Sequence, residues 1–540
     1  MSSDQKLFTN TLASLAKDMH ALGIREIFGI AGDPITPLID SAESLGIKYL
    51  GFRNEQAASY AAPAVSFLTR RARIGVCMTV AGPGLTNALT GLANAKMNQW
   101  PCILVCPFTP NPNEFQYVDQ VRCIQGSTKG HVYYSGFDSL KAAIDTANSP
   151  PFGPVVVFVP KHTDAVVEER SIASQIISRL AKLSFPKSQG RTRLLLVVGG
   201  TAPLYPEHDS AIHEFLNTVG CPFISDPMGR GVVSEQHRYC VTAARSDAMR
   251  TASVAVVIGG KLDWMLSHGK PPKWSEDCKF ILVGEDVGLD GIYPEIQARV
   301  IASPMHALGD VLTSCAELSI DREWGDGLMR NAVLKREKLA KTLSEVRARQ
   351  LPSHYEAIGA IKRAIFEARL EDSVIVSEGA NTMDVARVAL DSISNPCRRM
   401  DAGRWGTMGS GLGMTIAAAT VKPDDIVICI HGDSAFGFSG MELETLVRYK
   451  CRAVVVVFNN GGIYTGIRSN STAFTPNIHH DMLMKSVGGV GLSTGGGDAH
   501  AVYMSVLRAF DLVKHGQYPL LVDINIDPKS GTVSGSLSRL

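Results

Sequence analysis

Apolar side chains at Leu12, Leu15, Ala16, Met19 and Leu22 recur at helical spacing over residues 8–22, and a short apolar strand, Ile27–Ile30, follows before a Gly32-Asp33-Pro34 turn. The alternation then repeats. Apolar runs at Val76–Val80, Ile103–Cys106 and Val155–Val159 are separated by helix-like stretches. A strand covered by helices on both faces is apolar throughout rather than at every second position, so these runs predict a parallel sheet. A second set of strands passes through Leu194–Val198, Val254–Ile258 and Phe280–Val283. A third passes through Val374–Val376, Ile426–Ile430, Val454–Phe458 and Leu520–Ile526. The polar stretch 166–192 reads as a linker, and the charged stretch 331–350 as a helix connecting domains. The pattern predicts an α/β chain of three doubly wound parallel-sheet domains, near 1–165, 185–325 and 355–527, with a tail at 528–540.

Composition narrows the function classes. The 540 residues suit three or four domains, and 45% hydrophobic with 19% charged residues is an ordinary globular mix. The net charge of +1 leaves no basic face, so nucleic acid is not an expected partner. No apolar run is long enough for a membrane span, so no membrane association is expected. The opening MSSDQKLFTN lacks the apolar core of a signal peptide. The 11 Cys form no Cys-x-x-Cys pair and read as buried free thiols. The closing Ser538-Arg539-Leu540 resembles the peroxisomal address Ser-Lys-Leu, which makes a peroxisomal location and an import receptor the expectation.

The chemistry concentrates in two loops. The strand Ile426–Ile430 runs into Gly432-Asp433-Ser434, a helix with Leu443, Leu446 and Val447 on one face follows, and the strand Val454–Phe458 ends in Asn459-Asn460-Gly461-Gly462. Both loops therefore fall at carboxyl ends of strands, where open α/β sheets bind ligands. Asp433 offers a carboxylate, Asn460 an amide oxygen and Gly462 a backbone carbonyl, the hard oxygen donors that Mg²⁺ prefers. Gly432 allows close backbone approach, and the amides near Ser434 and Ala435 can bind phosphate oxygens. Read alone, Asp and Asn also serve as turn formers.

The two loops resemble the motif of thiamine diphosphate-dependent enzymes, Gly-Asp-Gly/Ser followed by Asn-Asn, and the 27 residues between Asp433 and Asn460 match that family's spacing. The resemblance implies that Asp433, Asn460 and the Gly462 carbonyl bind Mg²⁺. It makes the first domain pyrimidine-binding, the second Rossmann-like and the third diphosphate-binding. Glu55, which by itself reads as a helix-start carboxylate, takes the family's activating role in the context Arg53-Asn54-Glu55-Gln56-Ala57-Ala58. There the carboxylate hydrogen-bonds N1′ of the aminopyrimidine, and the resulting imino group removes the thiazolium C2 proton. Gly406-Thr407-Met408-Gly409 resembles the segment that bends the cofactor, with Gly406 and Met408 against the pyrimidine. Met408 alone would read as core. Asn381 and Thr382, in SEGANTMD, fall near the diphosphate by the same likeness.

Within the family the chain is similar to 2-hydroxyacyl-CoA lyases and to oxalyl-CoA decarboxylases, through FGIAGDPITP, TVAGPGLTNALTGLANAKMNQWP, PMGRGVV and AARSDAMRTASVAVVIGGKLDW. This implies an acyl-CoA thioester substrate. Arg230, Arg245 and Lys261 stand where relatives carry basic residues that could meet CoA phosphates, although each could equally be a solubilising cation. The loop Cys106–Pro112 is Pro-rich where relatives are Gly-rich. Gln116 keeps the lyase-like Phe-Gln and is the polar residue expected over the reacting carbon, while Val118-Asp119-Gln120 resembles the decarboxylase sequence. Ser536 replaces an Arg common in the decarboxylases, which favours cleavage to formyl-CoA and an aldehyde over decarboxylation. A catalytically inactive binding homologue would be expected to have lost Glu55, Asp433 or Asn460, and all three are present. The family's site lies between two chains, so a homodimer or homotetramer is expected, with residues 528–537 as a candidate lid.

Overall fold

The computed structural model describes residues 3–161, 190–344, 351–391, 393–463, 471–475 and 478–528. The expected lid, the targeting tripeptide, most of the linker and the last six residues of the charged stretch 331–350 lie outside them. Three sheets, all parallel, organise the rest. The first holds β1 (Glu26–Gly29), β2 (Lys48–Gly51), β3 (Gly75–Met78), β4 (Cys102–Phe108), β5 (Gly130–Tyr133) and β6 (Pro154–Pro160), in the order β2-β1-β3-β4-β6-β5. The second holds β7 (Leu194–Val198), β8 (Phe223–Ser225), β9 (Val254–Ile258), β10 (Lys279–Val283) and β11 (Val300–Ser303), in the order β11-β10-β9-β7-β8. The third holds β12 (Ile375–Glu378), β13 (Arg399–Met400), β14 (Val427–Gly432), β15 (Ala453–Asn459), β16 (Val490–Ser493) and β17 (Leu520–Asn525), in the order β13-β12-β14-β15-β17-β16.

Counted from its own first strand, the third sheet repeats the 2-1-3-4-6-5 order of the first. The two outer units are therefore one topology used twice, a repeat that the sequence does not display. In each, the strand order reverses beside the first strand, which creates a crevice at the carboxyl ends. Central strands such as Cys102–Phe108 and Ala453–Asn459 are buried along almost their whole length, as their unbroken apolar runs require. The strands with no clear apolar run are short and peripheral: Gly130–Tyr133 is only half-buried, and Arg399–Met400 has two residues.

The units are packed into one body. A single buried cluster runs from Phe28 and Trp100 through Leu196 and Phe223 to Val376 and Val455. The helix Glu55–Leu68 lies against the helix Gly411–Val421, and a Cβ at Gly413 would stand 2.3 Å from the Ala57 carbonyl, so only glycine permits this approach. Arg70 bridges to Asp209 through two bonds of 2.7 and 2.8 Å, joining the first unit to the second. Among the described residues no helix is long and apolar enough to cross a membrane. All 11 cysteines are unpaired and all but Cys123 are buried. The connecting helix runs Arg322–Ser344, starting nine residues before the charged stretch 331–350. One predicted helix between the two loops proves to be two, Asp433–Phe436 and Glu442–Arg448. Gly437 and Gly440 stand in the break, and glycine weakens helix continuation there.

Candidate active site

β14 and β15 are neighbours, with Gly432 in register with Phe458, so their terminal loops emerge side by side. Asp433 opens its short helix and is buried. Its Oδ1 accepts the Ser434 N–H at 2.7 Å, and its Oδ2 accepts the N–H groups of Asn460 at 3.1 Å and Gly461 at 2.9 Å. Asn460 is buried too, and its Oδ1 accepts the Gly462 N–H at 3.2 Å. Burial outweighs the amide bonds and pushes the Asp433 carboxyl up to about 6. Gly462 pairs with Ala473, but the bonds of that bridge use the Gly461 carbonyl and the Ile463 amide.

The opposite lip of the crevice is the end of β12. Gly379, at φ +92, starts the helix Ala380–Ala389, and a Cβ there would stand 3.1 Å from the Gly432 amide. Thr382 Oγ1 would come within 3.2 Å of a Cβ at Gly432. Thr382 is thus brought against Gly432, and Gly379 against Gly432 and Ala435, with Asn381 buried beside Thr382 on the same helix. Glu378, the last residue of β12, is fully buried. It accepts the N–H groups of Gly409, Ser410 (3.0 Å) and Gly411 (2.6 Å), and so fixes the chain just after Met408. Burial pushes its carboxyl up to about 7. His431, beside it at 3.4 Å, is fully buried and pushed down to about 3, so it is neutral. Met408 is half-buried and its carbonyl accepts from Gln56 Nε2 at 3.4 Å, while Gly406 is exposed at φ +65.

Glu55 starts its helix behind Asn54, whose side chain caps the Gln56 amide at 2.8 Å. Its carboxylate is half-exposed and accepts a hydrogen bond from Asn87 Nδ2 at 3.0 Å. Gln116 reaches the same neighbourhood. A Cβ at Gly84 would stand 3.5 Å from Glu55 Oε1, and one at Gly82 would strike the Gln116 carbonyl at 2.1 Å. Glu55 and Gln116 therefore flank the start of the helix Pro83–Asn98, with Gln116 held at φ +61.

The three basic residues expected at CoA phosphates separate. Arg230 is buried with Nη1 on the Arg387 carbonyl at 2.5 Å. Arg245 is buried between Asp226 (3.6 Å) and the Met265 carbonyl (2.6 Å). Both belong to a seam between the second and third units, which also holds Arg404 on Asp226 and Asp263, and Arg387 bidentate on Asp401. Lys261 alone keeps a partly open side chain, 2.6 Å from Asp286 at the carboxyl end of the second sheet.

Asn87, Glu378 and Glu442, which holds the amides before Glu55, were not singled out by sequence reasoning. Asn87 lies one turn into a helix that opens Gly-Pro-Gly, facing back to the preceding helix. Glu442 shares the buried stripe of Leu443 and Leu446, and a carboxylate on such a stripe signals an unseen partner.

Three matches to known families cover most of the chain. Residues 9–125 match the thiamine pyrophosphate enzyme N-terminal TPP-binding domain, 189–311 the central domain, and 378–502 the C-terminal TPP-binding domain. The chain belongs to the thiamine pyrophosphate enzyme family. The family's two TPP-binding domains thus coincide with the two sheets of identical strand order. Among curated members, a 2-hydroxyacyl-CoA lyase of Arabidopsis thaliana is 33% identical over 97% of this chain and 97% of its own. A 2-hydroxyacyl-CoA lyase 1 of Mus musculus is 34% identical over 96% of this chain and 94% of its own. An oxalyl-CoA decarboxylase of Escherichia coli strain K12 is 32% identical over 100% of this chain and 98% of its own. This thiamine pyrophosphate enzyme is therefore similar along its whole length to both kinds of relative.

Proposed function

We propose that this enzyme uses thiamine diphosphate and Mg²⁺ to cleave a 2-hydroxyacyl-CoA into formyl-CoA and an aldehyde. The observation that carries the reading is the convergence on Asp433, a buried carboxylate onto which two strand-end loops turn three backbone amides. Asp433, the Asn460 side chain and the Gly462 carbonyl would hold the metal, since all three offer hard oxygen donors. A divalent cation would favour the charged form of Asp433 and offset the cost of its burial. The adjoining loops Gly379–Thr382 and Gly432–Ala435 suit a diphosphate, because they bring backbone amides and the Thr382 hydroxyl together beside Asp433.

When bound, the cofactor supplies the nucleophilic carbon and the electron sink that C–C cleavage needs. The chain's own groups bind, orient and move protons around it. Glu55 holds a proton at the pyrimidine ring, and Asn87 fixes the direction of its carboxylate. Met408 and Gly406 support the pyrimidine, with Glu378 holding the amides that follow them. Gln116, beside Glu55 at the start of Pro83–Asn98, offers an amide to the substrate's carbonyl or hydroxyl.

The names of the relatives support a CoA thioester. Gly259, Gly260 and Gly284 line a small crevice beside Lys261, Glu285 and Asp286 at strand ends of the second sheet, where the nucleotide part would lie. Arg230 and Arg245 serve that crevice indirectly, by holding the seam beneath it. A homodimer or homotetramer is supported by exposed Phe438, Met441, Ile478, Met482 and Leu483, which crowd the segments next to Asp433 and Asn460. The final Ser538-Arg539-Leu540 supports import into peroxisomes.

A second reading is oxalyl-CoA decarboxylation, favoured by the Escherichia coli relative and by Val118-Asp119-Gln120. Purified enzyme with Mg²⁺ and thiamine diphosphate, given each thioester separately, decides between them. Aldehyde and formyl-CoA from the 2-hydroxyacyl thioester support the lyase. CO₂ from oxalyl-CoA with no aldehyde from the other sinks it.

A further inference from the structure

The segment that ends in Glu55 is gripped by one short helix of the third unit. Beyond the edge strand β2 the Phe52 N–H still donates to the Gly29 carbonyl of β1 at 2.8 Å, and the chain then turns at Arg53–Asn54, outside any strand. Glu442 Oε1 accepts the N–H of Arg53 and that of Asn54, both at 3.1 Å. Two residues earlier, Gly51 donates to the Tyr449 hydroxyl at 2.6 Å, and its carbonyl accepts from Arg448 Nη2 at 2.6 Å. Four consecutive-loop backbone groups are thus satisfied by three side chains from Glu442–Tyr449. Glu442 is fully enclosed, and its Oε2 is occupied by the Thr445 hydroxyl at 2.6 Å. A buried carboxylate needs donors and a strand-to-helix turn has amides to spare, so each resolves the other's cost.

This helix begins nine residues after Asp433 in the same chain, and Glu55 is the residue after Asn54. Catalytic geometry is sensitive on this scale, since a displacement of about 1 Å can cost about 100-fold in rate. We propose that Glu442 is a positioning residue for Glu55, supported by Arg448 and Tyr449, and that it ties the Glu55 loop to the metal loop of the same chain. The proposal rests on the thiamine reading of Glu55. It concerns the amides before Glu55, not contact with the cofactor.

Two readouts test it. Amide hydrogen exchange of residues 49–56 in the cofactor-free chain reports the grip itself. Exchange of the C2 proton of bound thiamine diphosphate in D₂O, without substrate, reports what Glu55 does. Glu442→Ala should quicken amide exchange at 53–54 and slow C2 exchange at least about 10-fold, with cofactor Kd moved by less than about 3-fold. Glu442→Gln keeps an oxygen at Oε1 and should fall between Ala and wild type, a rescue that loss of packing alone would not give. If Glu442→Ala does not fold, Tyr449→Phe removes one bond at the rim and should shift both readouts the same way by less. Wild-type C2 exchange in a folded Glu442→Ala chain overturns the proposal, as does a Kd weakened in step with the exchange rate. A wild-type chain that exchanges no C2 proton refutes the role of Glu55 and takes the proposal with it.

Discussion

The Asn460 main-chain N–H donates to Asp433 Oδ2 across 3.1 Å, joining two loops 27 residues apart. On the proposed reading, the lone pairs that these amides leave on Asp433 would face the metal. Saturating Mg²⁺ and thiamine diphosphate, at about 100 times Kd, should stabilise the wild-type chain by about 2.7 kcal/mol. Asp433→Asn is expected to lose most of that gain, read as the ligand-induced rise in unfolding midpoint with and without chelator. A variant stabilised as much as wild type would remove Asp433 from metal binding.

Glu55 and Asn87 should differ in degree. Glu55→Gln removes the proton-holding group and is expected to lower kcat by about 10² to 10⁴, with cofactor binding retained. Asn87→Ala removes only the 3.0 Å bond that aims the carboxylate. Its expected cost is about 10-fold in kcat with KM little changed. Equal losses in the two variants would assign Asn87 a direct role instead.

The three sheets and the two neighbouring strand-end loops were legible because the signals are local. Unbroken apolar runs mark buried parallel strands, and Gly-Asp and Asn-Asn mark where two of them end. The identical order of the outer sheets was not legible, since strand order depends on crossovers that leave no pattern in the residues. The same holds for Arg230 and Arg245. A basic residue beside glycines reads alike whether it faces a phosphate or a buried Asp226, and only the packing of the second unit on the third distinguishes them. Glu378 and Glu442 escaped because their partners are backbone amides 31 to 33 and 388 to 389 residues away, which have no sequence signature.

That seam can be broken at one point. Arg387 is almost wholly enclosed and forms two bonds, 2.8 and 2.7 Å, with the fully buried Asp401. Asp401 also caps the Gly403 amide at 2.8 Å, at the start of the segment leading to Met408. Removing one member of a buried pair strands the other's charge, at about 3–5 kcal/mol. Asp401→Ala is therefore expected to lower urea stability by that amount. A loss below about 1 kcal/mol would mean that Arg387 finds other partners, such as Asp384 at 3.4 Å.

The pH dependence of stability should turn on Glu378. Its carboxyl lies near 7 in the folded chain against an ordinary 4.5, because burial outweighs three amide bonds. Between those values the folded chain holds a proton that the unfolded chain has released. The stability Glu378 contributes is thus full below about 4.5 and is lost as pH rises through 7. His354 and His431, pushed down to about 4 and about 3 from 6.5, act oppositely, since burial keeps them neutral where the unfolded chain is protonated. Because these slopes oppose one another between about 4.5 and 6.5, the contribution of Glu378 is read from a variant and not from the wild-type profile. Glu378→Gln removes the carboxyl and leaves the histidines. Relative to wild type, the cofactor-free variant should gain roughly 2–3 kcal/mol between pH 5 and pH 7, at about 1.4 kcal/mol per unit. Urea unfolding at several pH values measures this. Parallel curves for the two chains would mean that Glu378 stays ionised throughout, with its three amide bonds outweighing its burial.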